Sequence, residues 1–185
     1  MKKIFILFIF IPYYIFSETI NLDRFKSGDI IFRKENSFLS DIFSKIDSFD
    51  YSHVGLVIKN NSNIFIYHME NEEDKSQDLK IEPISIFLEN YQKYSTIRLK
   101  TPIDKEKLNF ILNSYKNDKN LKFDLSFKLN NGDSNLYCSE FVNEIYKKLI
   151  GKNIYSYLYN ILGEEGITIK SIYLNKNLFD IVEKK

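Results

Sequence analysis

Cys138, His53 and His68 are the residues of this chain that could do nucleophilic chemistry together. Cys138 is the only cysteine among 185 residues, and the chain has just two histidines. A cysteine nucleophile needs a base that takes its proton and a third group that orients the base. Cys138 lies in Asn135-Leu136-Tyr137-Cys138-Ser139-Glu140-Phe141-Val142. After it, Phe141, Val142, Ile145, Tyr146, Leu149 and Ile150 recur at helical spacing, and Gly151 stands where a C-cap would. The pattern predicts a helix that starts at Cys138. Free N–H groups and partial positive charge at a helix start favour a thiolate and can receive an oxyanion. The alternative for a lone cysteine is a buried structural residue.

The histidines fall on one predicted hairpin, Asp50 to Ile58 returning through Asn63 to Met69. If Asn60-Asn61 is a two-residue turn, paired residue numbers sum to 121 and His53 lies opposite His68. Cross-strand Cβ atoms are then about 4.5–5.5 Å apart. If the turn spans Asn60 to Asn63, the sum is 123 and His53 faces Glu70. Both registers give His53 a polar partner, and a slip by one residue breaks either. A surface pair of histidines, or a His/His/Cys zinc site, is the competing reading. No further acidic ligand pattern stands out, so we expect no metal and no cofactor.

The other elements must position these groups. Gly28-Asp29 reads as a turn before a strand at Ile30 to Phe32. Leu39, Ile42, Phe43 and Ile46 have helical spacing. Pro83 can open a short helix through Tyr91, and Ser95 to Lys100 alternates as a strand. Thr101-Pro102 reads as N-cap and first position of a helix carrying Leu108, Ile111, Leu112 and Tyr115. Phe123, Leu125 and Phe127 suggest a strand, Tyr155 to Leu162 a short helix, and Gly166 to Tyr173 a final strand. The tail from Asn175 reads as peripheral. Helices and strands mix without a βαβ repeat, which predicts an α+β class with a mostly antiparallel sheet.

The chain suits one domain. Its net charge is +1 with no basic stripe, so nucleic acid is not an indicated partner. Met1-Lys2-Lys3, an apolar run from Ile4 to Ile11 and a small residue at Ser17 make a signal peptide over residues 1–17, ahead of a single domain over 18–185. The run is short for a membrane span, although an uncleaved N-terminal anchor is the alternative. The expected location is therefore periplasmic or secreted. One cysteine cannot form an internal disulfide there, which favours a reactive thiol.

Gly28-Asp29-Ile30-Ile31-Phe32, Ser52-His53-Val54-Gly55-Leu56-Val57 and Tyr137-Cys138-Ser139-Glu140-Phe141-Val142 together resemble the permuted papain-like cysteine hydrolases. The similarity is to the YiiX/YebB-like branch of the NlpC-related superfamily, in which the histidine precedes the cysteine. It spans roughly Phe25 to Ile150. The resemblance implies a small antiparallel sheet packed against the cysteine helix, Cys138 as nucleophile and His53 as base. It also implies His68 as the third polar group, at a position where many members carry glutamate; Glu70 is the alternative. It implies cleavage of an amide or ester bond through an acyl-enzyme, on a cell-wall peptide or lipid acyl group at the envelope. A non-catalytic binding module on this fold and an acyltransferase are the other readings. Oligomeric state is not legible.

Overall fold

The computed structural model describes residues 20–34, 48–71, 78–129, 132, 134–161 and 163–185. The expected signal segment over residues 1–17 and the expected helix around Leu39 to Ile46 lie outside these residues. Among the described residues, no helix is long and apolar enough to cross a membrane.

The central sheet has six strands in the order β4-β3-β2-β1-β5-β8, all antiparallel. They are β1 (Ile30–Lys34), β2 (His53–Asn60), β3 (Asn63–Met69), β4 (Leu79–Pro83), β5 (Lys93–Leu99) and β8 (Phe179–Lys184). The helices are α1 (Ile84–Phe87), α2 (Lys105–Asn117), α3 (Cys138–Ile150) and α4 (Ile169–Tyr173). A small hairpin, β6 (Tyr159–Ile161) with β7 (Glu164–Gly166), stands apart. The expected α+β class and antiparallel sheet are borne out.

Strand alternation divides the core. Ile30, Phe32, Val54 and Leu56 point to one face, where α2 and α3 cover them. Ile31, Val57 and Ile66 point to the other, packed under Phe25, Ile84 and Phe87. α3 forms because its apolar residues share one side, and its ends are well supplied. Glu140 lies in the first turn and Lys147 and Lys148 in the last, each complementing the helix dipole. Gly151 closes the helix at φ 77°. Tyr146 donates from its hydroxyl to the Gly28 carbonyl, tying α3 to the turn before β1.

Several expectations fail for local reasons. α2 starts at Lys105, not after Thr101, because the Asp104 side chain accepts from Lys107 N at 3.0 Å. Ile103 is instead held against the turn at Gly28, where a Cβ would lie 2.3 Å from Ile103 Cδ1. Phe123 to Phe127 is no strand: Asp124 Oδ1 accepts from Ser126 N and Oδ2 from Lys128 N, an alternative to ladder pairing. Lys122 makes only an isolated bridge to Asn135. The described residues of the expected helix from Tyr155 to Leu162, Tyr155 to Ile161, are not helical. Ile154 N donates to Asn143 Oδ1, and Ser156 N donates to the Ser171 carbonyl. Those amides are committed to tertiary partners. Gly166 to Tyr173 holds α4 rather than a strand, capped by Thr168 Oγ1 accepting from Ser171 N at 3.1 Å. The tail from Asn175 is not peripheral: β8 pairs with β5 along the sheet.

Candidate active site

The β2–β3 pairing decides between the two hairpin registers. Asn60 pairs with Asn63 and Leu56 with Tyr67, so paired numbers sum to 123. The turn lies at Asn61-Ser62, with Asn61 at φ 54°. Continued along the strands, this register sets His53 across from Glu70 and His68 across from Gly55. His53 nevertheless bonds to its diagonal neighbour: His53 Nε2 lies 2.8 Å from His68 Nδ1, with the rings at 84°. Diagonal pairs are within reach of long or aromatic side chains. Gly55 makes room for this. A Cβ there would sit 2.5 Å from Ile66 Cγ2 and 3.3 Å from His68 Cβ.

Both rings pack on Phe87 of α1, with centroids at 5.9 Å for His53 and 5.0 Å for His68. His68 is fully buried and His53 nearly so. Around them stands a set of charges of which the sequence reading named only Glu70. His68 Nε2 lies 3.1 Å from Glu82 Oε1. Arg33 lies over the Phe87 ring at 4.2 Å, a cation–π contact, and approaches Glu82 at 3.7 Å and Glu70 at 3.8 Å. Lys80 pairs with Glu70 at 3.0 Å. The missed signal was Leu79-Lys80-Ile81-Glu82, which alternates as a strand. Its pairing places Lys80 opposite His68 and Glu82 opposite Ile66.

Burial pushes the His53 imidazole well below its ordinary value, and the neighbouring His68, Arg33 and Lys80 add to this. His68 is also lowered by burial, only partly offset by Glu82 and Glu70. Burial would raise Glu82, but the His68 hydrogen bond and the His68, Arg33 and Lys80 charges outweigh it and lower its pKa. The site at neutral pH thus holds two neutral imidazoles and an ionised Glu82.

Cys138 is the first residue of α3 and is buried. Its start is anchored from both sides. Ser139 Oγ donates to the Ile167 carbonyl at 2.6 Å, and Ile167 N donates to Tyr137 Oη at 2.7 Å. Cys138 belongs to the apolar cluster that includes Val54 and Met69, the residues next to His53 and His68 in sequence. The structure therefore joins the two histidines directly, through rings on the α1 side of the sheet. It sets Cys138 in the core layer on the α3 side.

A family model of permuted papain-like amidases, the YaeF/YiiX, C92 family, matches residues 24–171. The chain belongs to this family. It is a papain-like amidase, and so a hydrolase, as the three motifs led us to expect. Among solved structures, it is similar to the crystal structure of metalloprotein yiiX from Escherichia coli O157:H7. The TM-score is 0.71 at 19% identity, over 86% of this chain and 97% of that one. That likeness bears out the fold. No curated protein gives a significant match.

His53, His68 and Glu70 offer ligand atoms within 4.8 Å of one another. The arrangement does not fit a cation. The two ring nitrogens sit 2.8 Å apart, whereas two nitrogens on one tetrahedral zinc stand roughly 3.3 Å apart. Arg33 and Lys80 also bring positive charge to the cluster.

Proposed function

We propose that this amidase works by covalent catalysis, with Cys138 as nucleophile and His53 as base. The Cys138 thiol gives its proton to His53 while sulfur attacks the amide carbonyl. His53 then returns the proton to the leaving amine, and water hydrolyses the acyl-enzyme. The backbone N–H groups at the start of α3 offer donors to the oxyanion. His68 holds the His53 ring. The observation that carries this reading is the direct bond from His53 Nε2 to His68 Nδ1. It supplies the pair of base and orienter that a cysteine nucleophile requires. His53 is the first residue of β2, at the end of the ladder. Its neutrality leaves it able to accept a proton.

The substrate class we propose is a cell-wall peptide or a lipid acyl group, met outside the cytoplasm after residues 1–17 are removed. The basic start and short apolar run support export. Intact-mass measurement of the mature protein checks the cleavage.

A thiol-reactive probe tests the mechanism. Cys138 should label faster than a free thiol, and His53→Ala should slow it. Labelling at the free-thiol rate, indifferent to His53→Ala, overturns the reading.

A further inference from the structure

We infer that Glu82 is a positioning residue that fixes both imidazole tautomers and leaves Nδ1 of His53 as the bare atom that takes the Cys138 proton. The inference rests on the cysteine-hydrolase reading and names the atom that reading leaves open.

The chain of donors starts at Glu82. An ionised carboxylate only accepts hydrogen bonds. His68 Nε2, at 3.1 Å from Glu82 Oε1, must therefore carry a hydrogen. A neutral imidazole has one N–H, so His68 Nδ1 is an acceptor. His53 Nε2 lies 2.8 Å from that acceptor and must donate to it. His53 then has its lone pair on Nδ1. Glu70 does not compete for His68 Nδ1: its nearer oxygen is 3.8 Å away and is held by Lys80 at 3.0 Å.

The same chain answers a weakness of the His68 position. A neutral histidine stabilises an imidazolium less than a carboxylate does. Here the carboxylate stands one ring further out. When His53 becomes charged, its Nε2–H···Nδ1 bond strengthens, and the His68 Nε2–H bond to Glu82 strengthens with it. No proton needs to reach Glu82. The proton leaves Cys138 Sγ for His53 Nδ1 and passes on to the leaving amine. Arg33 on β1, which lies over Phe87 and near Glu82, limits the rotation of that carboxylate.

The test is the tautomer itself. With histidine labelled by ¹⁵N in the full chain, two-bond ¹H–¹⁵N correlations distinguish protonated from bare ring nitrogens. Both rings of the wild type should show Nε2–H and bare Nδ1. His53 with hydrogen on Nδ1 overturns the inference, even if Cys138 proves reactive. The expected spectrum with an inert Cys138 upholds the tautomer chain and overturns the hydrolase reading instead. Glu82→Gln should lower kcat about ten-fold with KM nearly unchanged, a fraction of what general-base catalysis supplies. Glu82→Leu should bring a second tautomer into both ring spectra, while Glu70→Gln leaves them as in the wild type. Unchanged spectra and kcat in a folded Glu82→Leu overturn the assignment. The wild-type spectrum decides the matter should that variant not fold.

Discussion

The two faces of the sheet do different work. The α3 face is broad and apolar: α2 and α3 lay Leu108, Ile111, Phe141, Val142 and Ile145 on Phe32, Val54 and Leu56. The α1 face is smaller and carries the polar cluster: buried Arg33, half-buried Glu82 and the two buried imidazoles, beside one phenylalanine. On the first face, stability comes from area and packing, and each residue is replaceable by one of similar shape. On the second, each group depends on its neighbours, because a buried polar atom that loses its partner is costly. His53, the proposed base, belongs to the face that is less able to tolerate change.

Substitutions of the proposed nucleophile and base on one hand, and of the purely packing residues of the apolar face on the other, should therefore separate activity from stability. The largest effect is expected for Cys138→Ser and His53→Ala. Amide hydrolysis should fall by roughly a thousand-fold or more with the fold intact, measured by steady-state rates beside circular dichroism. On the apolar face, Phe141→Ala should cost about 3–5 kcal/mol in denaturant unfolding. The folded fraction should still be labelled at Cys138. Gly55→Val tests where the faces meet, since its side chain must displace Ile66 and His68. It should cost about 1–3 kcal/mol and lower kcat as well.

Acid should reach the two faces unequally. His53 and His68 are neutral in the fold, with pKa values below the 6.5 of a free imidazole. Below about 6.5 the unfolded chain binds more protons than the folded one. Stability is then complete above that pH and is lost as the pH falls towards the folded values. Glu82, also lowered, adds a loss of the same sign at more acidic pH. Denaturant midpoints between pH 5 and 8 should show the slope, and His68→Phe should flatten it. The smallest effect is expected from chelation. Dialysis against EDTA should leave the amidase rate unchanged, because the histidine cluster does not suit a cation.

The cysteine helix was legible in the sequence because it announces both ends. The apolar stripe starts at Cys138, and Gly151 stops it. The hairpin was legible from β-branched strands around an Asn-rich turn. Its register needed the sheet, since both turns are consistent with Asn60-Asn61-Ser62-Asn63. Glu82 was hidden by its type: a glutamate before a proline on a short strand reads as surface. Only the pairing of β3 with β4 brings it to His68. The segment after the cysteine helix was misread because its local pattern is weak. β8 alternates Phe179, Ile181 and Glu183, and Ile181 is exposed while Glu183 is buried near Arg24. The partner strand β5 decides that segment, not its own composition.

The spacing of contacts along the chain sets an order of assembly. His53 and His68 are 15 residues apart, joined within one hairpin. Ser95 and Glu183, which close the other end of the sheet, are 88 residues apart. Hairpins form in about 1–10 μs, whereas distant pairings wait for long loops to close. Cys138 belongs to the later group, because its helix must dock on strands made from the first half of the chain. On this spacing the two imidazoles are expected to come together first and Cys138, the proposed nucleophile, to join them last. A partly folded chain would then hold its imidazoles together before its thiol reaches them, and the proposed chemistry would wait for the end of folding.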